Sequence, residues 1–211
     1  MIRDVDIRVM LPDSSGNLQD YSDQIESANV TDAASDKIST FSVSLDHKKG
    51  NLNHLSSLDE IQIEFREDGG SWETALNGFM AEPKFEMGTD GDLVNIDGGD
   101  YGKLLQERTI TQGYTDKTIE YIIKDMMDRE VPELSYNNVN APNVTIDRVT
   151  FNITSIFDAI NKLLKYVDTE WQFYVDDNKD LHFEERGTTS SGETFEEGVN
   201  ILSAEFGETD D

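Results

Sequence analysis

Two hydrophobic periods divide this chain, and they meet near residue 100. Before that point apolar side chains recur at every second position. Val5, Ile7 and Val9 alternate with charged residues, as do Ile61, Ile63 and Phe65, while Phe41, Val43 and Leu45 alternate with serines. A period of two marks a strand with one buried face. Turn-forming clusters separate the runs: Leu11-Pro12-Asp13-Ser14-Ser15-Gly16-Asn17, Gly69-Gly70 and Gly88-Thr89-Asp90-Gly91-Asp92. Shorter strands are expected over 25–30, 76–81, 84–87 and 93–97. About six or seven strands, each with a single apolar face, predict an antiparallel barrel or sandwich.

Beyond Gly98-Gly99-Asp100 the period lengthens. Residues 101–106 predict a helical turn. From Tyr114 the pattern predicts a helix with Ile119, Ile122, Ile123, Met126 and Met127 on one face, Thr115 or Asp116 as its cap and Pro132 as its stop. The polar stretch Ser135 to Asn143 predicts a loop, and Val144 with Ile146 a short strand. Ser155-x-x-Asp158 resembles a capping box, with Asp in place of the usual Glu, and opens a stripe of Ile156, Ile160, Leu163, Leu164 and Val167. Trp171, Phe173 and Val175 then alternate up to the turn Asp176-Asp177-Asn178-Lys179, and Leu181 and Phe183 return on the same face as a hairpin. The expected fold class is α+β. Residues 1–110 form the antiparallel β-barrel or sandwich, 111–187 a small α+β unit of two helices and a hairpin, and 188–211 a linker, a terminal strand and an acidic tail.

Composition narrows the function. The chain carries 44 Asp and Glu against 17 Lys and Arg, a formal net charge of -27. An acidic disordered chain lacks aromatics and periodicity, whereas this one has ten Phe, seven Tyr and patterned apolar residues. The reading is a folded protein with an acidic shell. Such a shell repels itself unless salt is molar, where screening acts over about 3 Å, so a halophilic source is expected. Phosphate binding needs clustered Lys and Arg, so no specific nucleic-acid binding is expected. Cysteine is absent, which excludes disulfides, thiol catalysis and Cys-ligated metals. The N-terminus has no apolar signal core and no stretch reaches the roughly 18 apolar residues of a membrane span. A soluble product made in the cytoplasm and no membrane partner are expected.

Catalytic constellations are missing from the pattern. His47, His54 and His182 fall in no metal-binding spacing, and His182 alternates outward from Leu181 and Phe183, as an exposed strand residue. Nucleophile-elbow and phosphate-loop motifs are absent. Asp176-x-Asn178-x-Asp180 begins like a calcium loop, but Leu181 and Gly187 occupy the places where that pattern requires Gly and Glu, so a plain hairpin turn is the reading. No cofactor, no metal and no enzymatic activity are expected.

Three segments, taken in order, resemble the baseplate or tail-tip hub family of tailed phages, the late-control-protein-D type. The first is Leu58-Asp59-Glu60-Ile61-Gln62-Ile63, followed by Leu76-Asn77-Gly78-Phe79-Met80. The second is Ile96-Asp97-Gly98-Gly99-Asp100-Tyr101, then Leu104-Leu105, Arg108, Tyr114 and the helix from Thr118 to Met127. The third runs from Ser155 to Glu184, a capped helix, an aromatic strand and a return strand. The resemblance implies a structural virion protein whose N-terminal unit is like a tail-tube domain, assembled in the host cytoplasm; together with the acidic composition, a haloarchaeal tailed virus is the expected source. It implies a ring that closes the distal end of the tail tube, made of three copies or, alternatively, six. Its partners are other tail proteins: the tail tube or distal tail protein, the tape measure, and a further hub or spike chain. The family usually has a second barrel, expected here from another chain. The strand Asn200, Ile201, Leu202, Ser203, Ala204, Glu205 and Phe206 is the candidate assembly contact, handed to a neighbour. A distal tail, receptor-binding or decoration protein is the alternative, and a tail-associated hydrolase a further one.

Overall fold

The computed structural model describes residues 5–31, 38–47, 52–87, 92–167 and 170–186. The expected turn at 88–91, the linker 187–192 and the strand 200–206 lie outside them.

The alternating runs of the first half form strands β1 (Val5–Pro12), β2 (Leu18–Asp20), β3 (Ile25–Thr31), β4 (Thr40–Asp46), β5 (Glu60–Glu67), β6 (Glu73–Met80), β7 (Lys84–Met87) and β8 (Asp92–Asp100). They make one antiparallel sheet in the order β2-β1-β5-β6-β8-β4-β3, with β7 also on β8. The sheet is not a closed barrel; it folds over its own core in the manner of a sandwich. Val9, Leu11, Val43, Leu45, Ile61 and Ile96 fill that core, the positions that the period of two places on one face. Gly98 is required where β4, β8 and β6 cross, because a Cβ there would overlap the Phe41 ring and the Phe79 carbonyl.

The second half is α+β. A short helix α1 (Lys103–Glu107) leads into β9 (Thr109–Thr118), helix α2 (Ile119–Glu130), β10 (Ser135–Val139), β11 (Thr145–Ser155), helix α3 (Ile156–Leu164), β12 (Trp171–Val175) and β13 (Asp180–Glu185). Among the described residues, strands β9 and β11 pair only with each other, as a long antiparallel ribbon. Strands β10, β13 and β12 form a second small sheet, in which β10 runs parallel to β13. The three helices and both sheets share one core, with Ile123, Met126, Phe151, Ile160, Leu163 and Phe183 fully buried.

Local departures from the expected elements have physical causes. The N-cap of α2 is Thr118, whose Oγ1 accepts the Tyr121 N–H at 3.2 Å, so neither Thr115 nor Asp116 caps it. The residues before it continue β9 because β11 supplies a ladder, with Thr115 opposite Arg148 and Tyr114 opposite Val149. The expected loop at 135–143 contains β10, held to β13 by a side chain. Asp180, 5% exposed, accepts the backbone N–H groups of Asn137 and Asn138 at 2.9 and 3.2 Å and also bonds the Ser135 hydroxyl. Ser155 caps α3 as expected: its Oγ accepts the Asp158 N–H at 3.0 Å, and its hydroxyl donates to the Asp158 carboxylate at 2.7 Å.

Candidate assembly surfaces

The segment Ile96 to Arg108 forms the junction between the two units. The Asp100 carboxylate accepts the N–H of Ser39 at 2.7 Å and of Gly102 at 2.9 Å, which turns the chain out of β8. Tyr101 then packs edge-on against Phe79 with ring centroids 5.0 Å apart. Its hydroxyl reaches Glu60 at 3.5 Å, and burial, reinforced by the Glu60 charge, pushes the phenol up to about 12. Lys179, from the β12–β13 turn, pairs with the same Glu60 and lies over both rings, 5.7 Å from Phe79 and 5.2 Å from Tyr101. Arg108 bonds Glu133 at 2.6 Å, and its carbonyl accepts the Ile156 N–H that starts α3.

The sheet leaves a seam between its first and third strands. At one end the seam is bridged, because Tyr21 N–H donates to the Val9 carbonyl at 2.9 Å and Val9 N–H donates to Ser22 Oγ at 3.2 Å. Towards the other end β1 and β3 have no ladder between them. A groove of about 180 Å³ opens there, lined by Val5, Ile7, Ala28, Val30, Phe65 and Ala75. On the outer face nearby, Trp72 receives two guanidinium groups, Arg8 and Arg66, each 4.5 Å from the ring centroid. Arg8 also pairs with Glu64 and Arg66 with Asp6, which fixes the cross-strand register of β1 on β5.

The β9–β11 ribbon presents a different surface. Ile146, Val149 and Phe151 turn into the core, while Thr111, Gly113, Thr115, Arg148 and Thr150 are exposed. Thr150 stands opposite Gly113, and the Lys162 ammonium donates to the Thr150 carbonyl at 3.1 Å from the side of α3. The Gly113 carbonyl accepts the Gln112 side-chain amide at 3.1 Å. At the far end of the ribbon Ile153 is 76% exposed at φ +49, beside a register shift between Phe151 and Thr154.

The histidines are engaged with neighbours. His54 donates to the Pro12 carbonyl at 2.7 Å, and His47 meets the edge of Phe85 with ring centroids 5.5 Å apart. His182 is not the exposed strand residue that alternation predicts. Tyr174 on the paired strand stacks on it at 4.6 Å, and its ring nitrogens face Asp176 at 3.2 Å and Glu184 at 3.8 Å, leaving the side chain 15% exposed. Asp176 is the hairpin-turn residue that was expected: its Oδ1 accepts the N–H groups of Asn178 and Asp180, each at 2.9 Å. Among the described residues no group of three or more His, Asp or Glu is placed to hold a metal ion, and no helix is long and apolar enough to cross a membrane.

No family model and no curated protein matches the sequence. Solved structures do match the fold. A tail protein from Neisseria meningitidis MC58 superposes over 85% of this chain and 51% of its own, with a TM-score of 0.57 at 10% identity. The 43 kDa tail protein of prophage MuSo2 from Shewanella oneidensis covers 90% of this chain and 57% of its own, with a TM-score of 0.59 at 12% identity. A chain of the lidded Francisella PdpA–VgrG complex covers 92% of this chain and 31% of its own, with a TM-score of 0.59 at 14% identity. The chain thus spans about half the length of the two tail proteins, and over that span its sheet and its α+β unit have the fold of phage tail proteins.

Proposed function

We propose that this chain is a non-enzymatic structural protein of a virus tail, a subunit of the tail-tip or baseplate hub that encircles the distal end of the tail tube in three copies. The observation that carries this reading is the correspondence of both units, in order, with phage tail proteins over 85% and 90% of the chain. The junction supports it. Segments whose motifs resemble the hub family meet at one place, where Glu60, Phe79, Tyr101 and Lys179 lock the two units together. A subunit that bears load along a tube needs such a fixed angle between its parts. Broad surfaces and unpaired strand edges suit assembly with neighbours. Its partners are the tail tube or distal tail protein, the tape measure and a further hub or spike chain. The acidic shell is an adaptation to molar salt, and the host is haloarchaeal.

Cryo-electron microscopy of tails carrying a tagged copy tests the reading. Density for the tag is expected at the distal end of the tube with threefold multiplicity. A tag on the capsid, along the tail shaft or on lateral fibres overturns it, and a sixfold ring overturns the stoichiometry alone.

A further inference from the structure

The inner face of the sheet runs out of cover at one end. Val5, Ile7, Val9 and Leu11 share that face of β1, yet Val9 and Leu11 are fully buried while Val5 is 50% and Ile7 39% exposed. The cover stops where no ladder joins β1 to β3 among the described residues, and the groove lined by Val5, Ile7, Ala28, Val30 and Phe65 opens there. Its mouth is acidic. Residues directly opposite each other in an antiparallel pair share a face. Glu67 stands opposite Val5 and Glu73 opposite Phe65, so both carboxylates lie on the groove side, and both residues are exposed. An apolar floor with an acidic rim fits an apolar projection flanked by cations.

The second unit carries such a projection. Many cations of this chain sit against carboxylates, as Arg8 does against Glu64, Lys84 against Asp97 and Arg129 against Asp125. The exposed Lys162 and Lys165 on α3 have no carboxylate within ion-pair distance among the described residues. They line one shallow depression with Thr154 and Tyr166. Asp158, in the same depression, is engaged by the Ser155 hydroxyl at 2.7 Å. Tyr166 is exposed, and so is Ile153, the residue before Thr154. The Ile153 backbone is braced at φ +49 by its N–H bond to Thr111 Oγ1, so the side chain projects from an ordered position.

We propose that Ile153 and Tyr166 of one copy of this chain seat in the groove between β1 and β3 of a second copy, with Lys162 and Lys165 meeting Glu67 and Glu73 at its mouth. Both halves of the match, apolar and charged, are present on this one chain, which makes a second copy the occupant. Projection and groove lie on different units, so the contact is head-to-tail, the kind that generates a ring when its rotation closes. The inference rests on the hub reading for the ring, but not for the contact itself.

Photo-crosslinking in the full-length chain tests it. A benzophenone side chain replaces Tyr166, and copies of natural and heavy isotope content are mixed in roughly 3 M KCl. Mixed-isotope crosslinks from position 166 to residues 5–7, 28–30 or 65–67 are expected. Ile153→Asn lowers their yield at least about fivefold. Salt at this concentration screens exposed charges, but pairs enclosed by the contact are screened much less. Lys162→Glu with Lys165→Glu therefore also lowers the yield at least about fivefold, and adding Glu67→Lys and Glu73→Lys to the same chain restores it. Crosslinks confined to one copy, or mapping to another surface or another protein, overturn the proposal. So does a yield that either set of substitutions leaves unchanged while circular dichroism shows the fold intact. Crosslinks as expected, combined with a tag located away from the tail tip, would keep the contact and discard the hub.

Discussion

Lys179 pairs with Glu60 across 119 positions of sequence and joins the hairpin of the second unit to the sheet of the first. The pair is partly exposed, so its Coulomb energy alone is small. The Phe79 and Tyr101 rings beneath the ammonium add a cation–π contribution. Lys179→Ala is expected to cost about 1 kcal/mol of stability, with a Lys179–Glu60 coupling of about 0.5–1 kcal/mol in a double-mutant cycle followed by chemical denaturation. It is also expected to separate the unfolding of the two units in calorimetry. A single transition shifted by less than 0.5 °C, on the order of the measuring error for such a change, would contradict this.

The α3 stripe carries the second prediction. Leu163 is fully buried between the ribbon and the β12–β13 hairpin, in the core that holds Phe173. Leu163→Ala is expected to cost about 2–5 kcal/mol, from lost burial and the cavity left behind. Lys162→Ala one residue earlier, where the side chain is exposed and touches only the Thr150 carbonyl and the Phe151 ring, is expected to cost less than about 1 kcal/mol. Equal effects from the two substitutions would mean that α3 is rotated from the orientation described.

Much of the fold was legible where the information is local. Ser155, Asp158 and the stripe behind them define a helix within one turn of sequence, and the alternation of Trp171 to Val175 against Leu181 and Phe183 defines a hairpin across a four-residue turn. Strand β10 was not legible. Only Val139 in it is buried, and it is held by Asp180, a residue whose role needs the parallel pairing to exist first. The ribbon was read as a helix start and a short strand for a similar reason. Its strands are separated by α2 and β10, and Asp116 and Ile153 both take positive φ values that interrupt the alternation. His182 was misplaced because alternation tells which face a side chain takes, not whether a Tyr174 across the ladder covers it.

Asp180 makes acid stability testable. Burial pushes its carboxyl up, but hydrogen bonds from Ser135, Asn137 and Asn138 outweigh this and hold it below the ordinary value. A group with a depressed folded pKa contributes stability that is present above its unfolded value, near 3.8, and lost as the pH falls through the folded one. Asp180→Asn is therefore expected to cost about 1–3 kcal/mol at neutral pH, and the gap between variant and parent should close below pH 3.8. Denaturant titrations of both proteins across pH 2–7, on the order of the range over which carboxylates titrate, measure it. A gap independent of pH would show that the carboxylate charge is not what holds β10.

Salt supplies a further prediction. With a net charge of -27, the folded chain concentrates negative potential that dilute buffer does not screen. Lowering salt from roughly 3 M to 0.1 M lengthens the screening distance from below 3 Å to about 10 Å. The proposal of a halophilic origin expects unfolding or dissociation over that range. Unchanged circular dichroism and light scattering would contradict it.

Ile153 combines exposure with strain. A β-branched residue at φ +49 crowds its own backbone, at a cost on the order of 1–3 kcal/mol. It is 76% exposed, so little burial offsets that cost. The backbone is nevertheless fixed there, because Ile153 N–H donates to Thr111 Oγ1 at 3.0 Å and the preceding N–H, of Asn152, donates to Thr154 Oγ1 at 3.2 Å. Asn tolerates this conformation better than any β-branched residue and keeps the N–H. Ile153→Asn is expected to raise stability by about 1 kcal/mol in chemical denaturation. Under the hub proposal, the apolar side chain at this strained, exposed position is expected to make its contact in the proposed ring. The stabilised variant should therefore assemble less well than its parent when ring formation is followed by native mass spectrometry. Stability gained with no loss of assembly would leave the strain without a role in the ring.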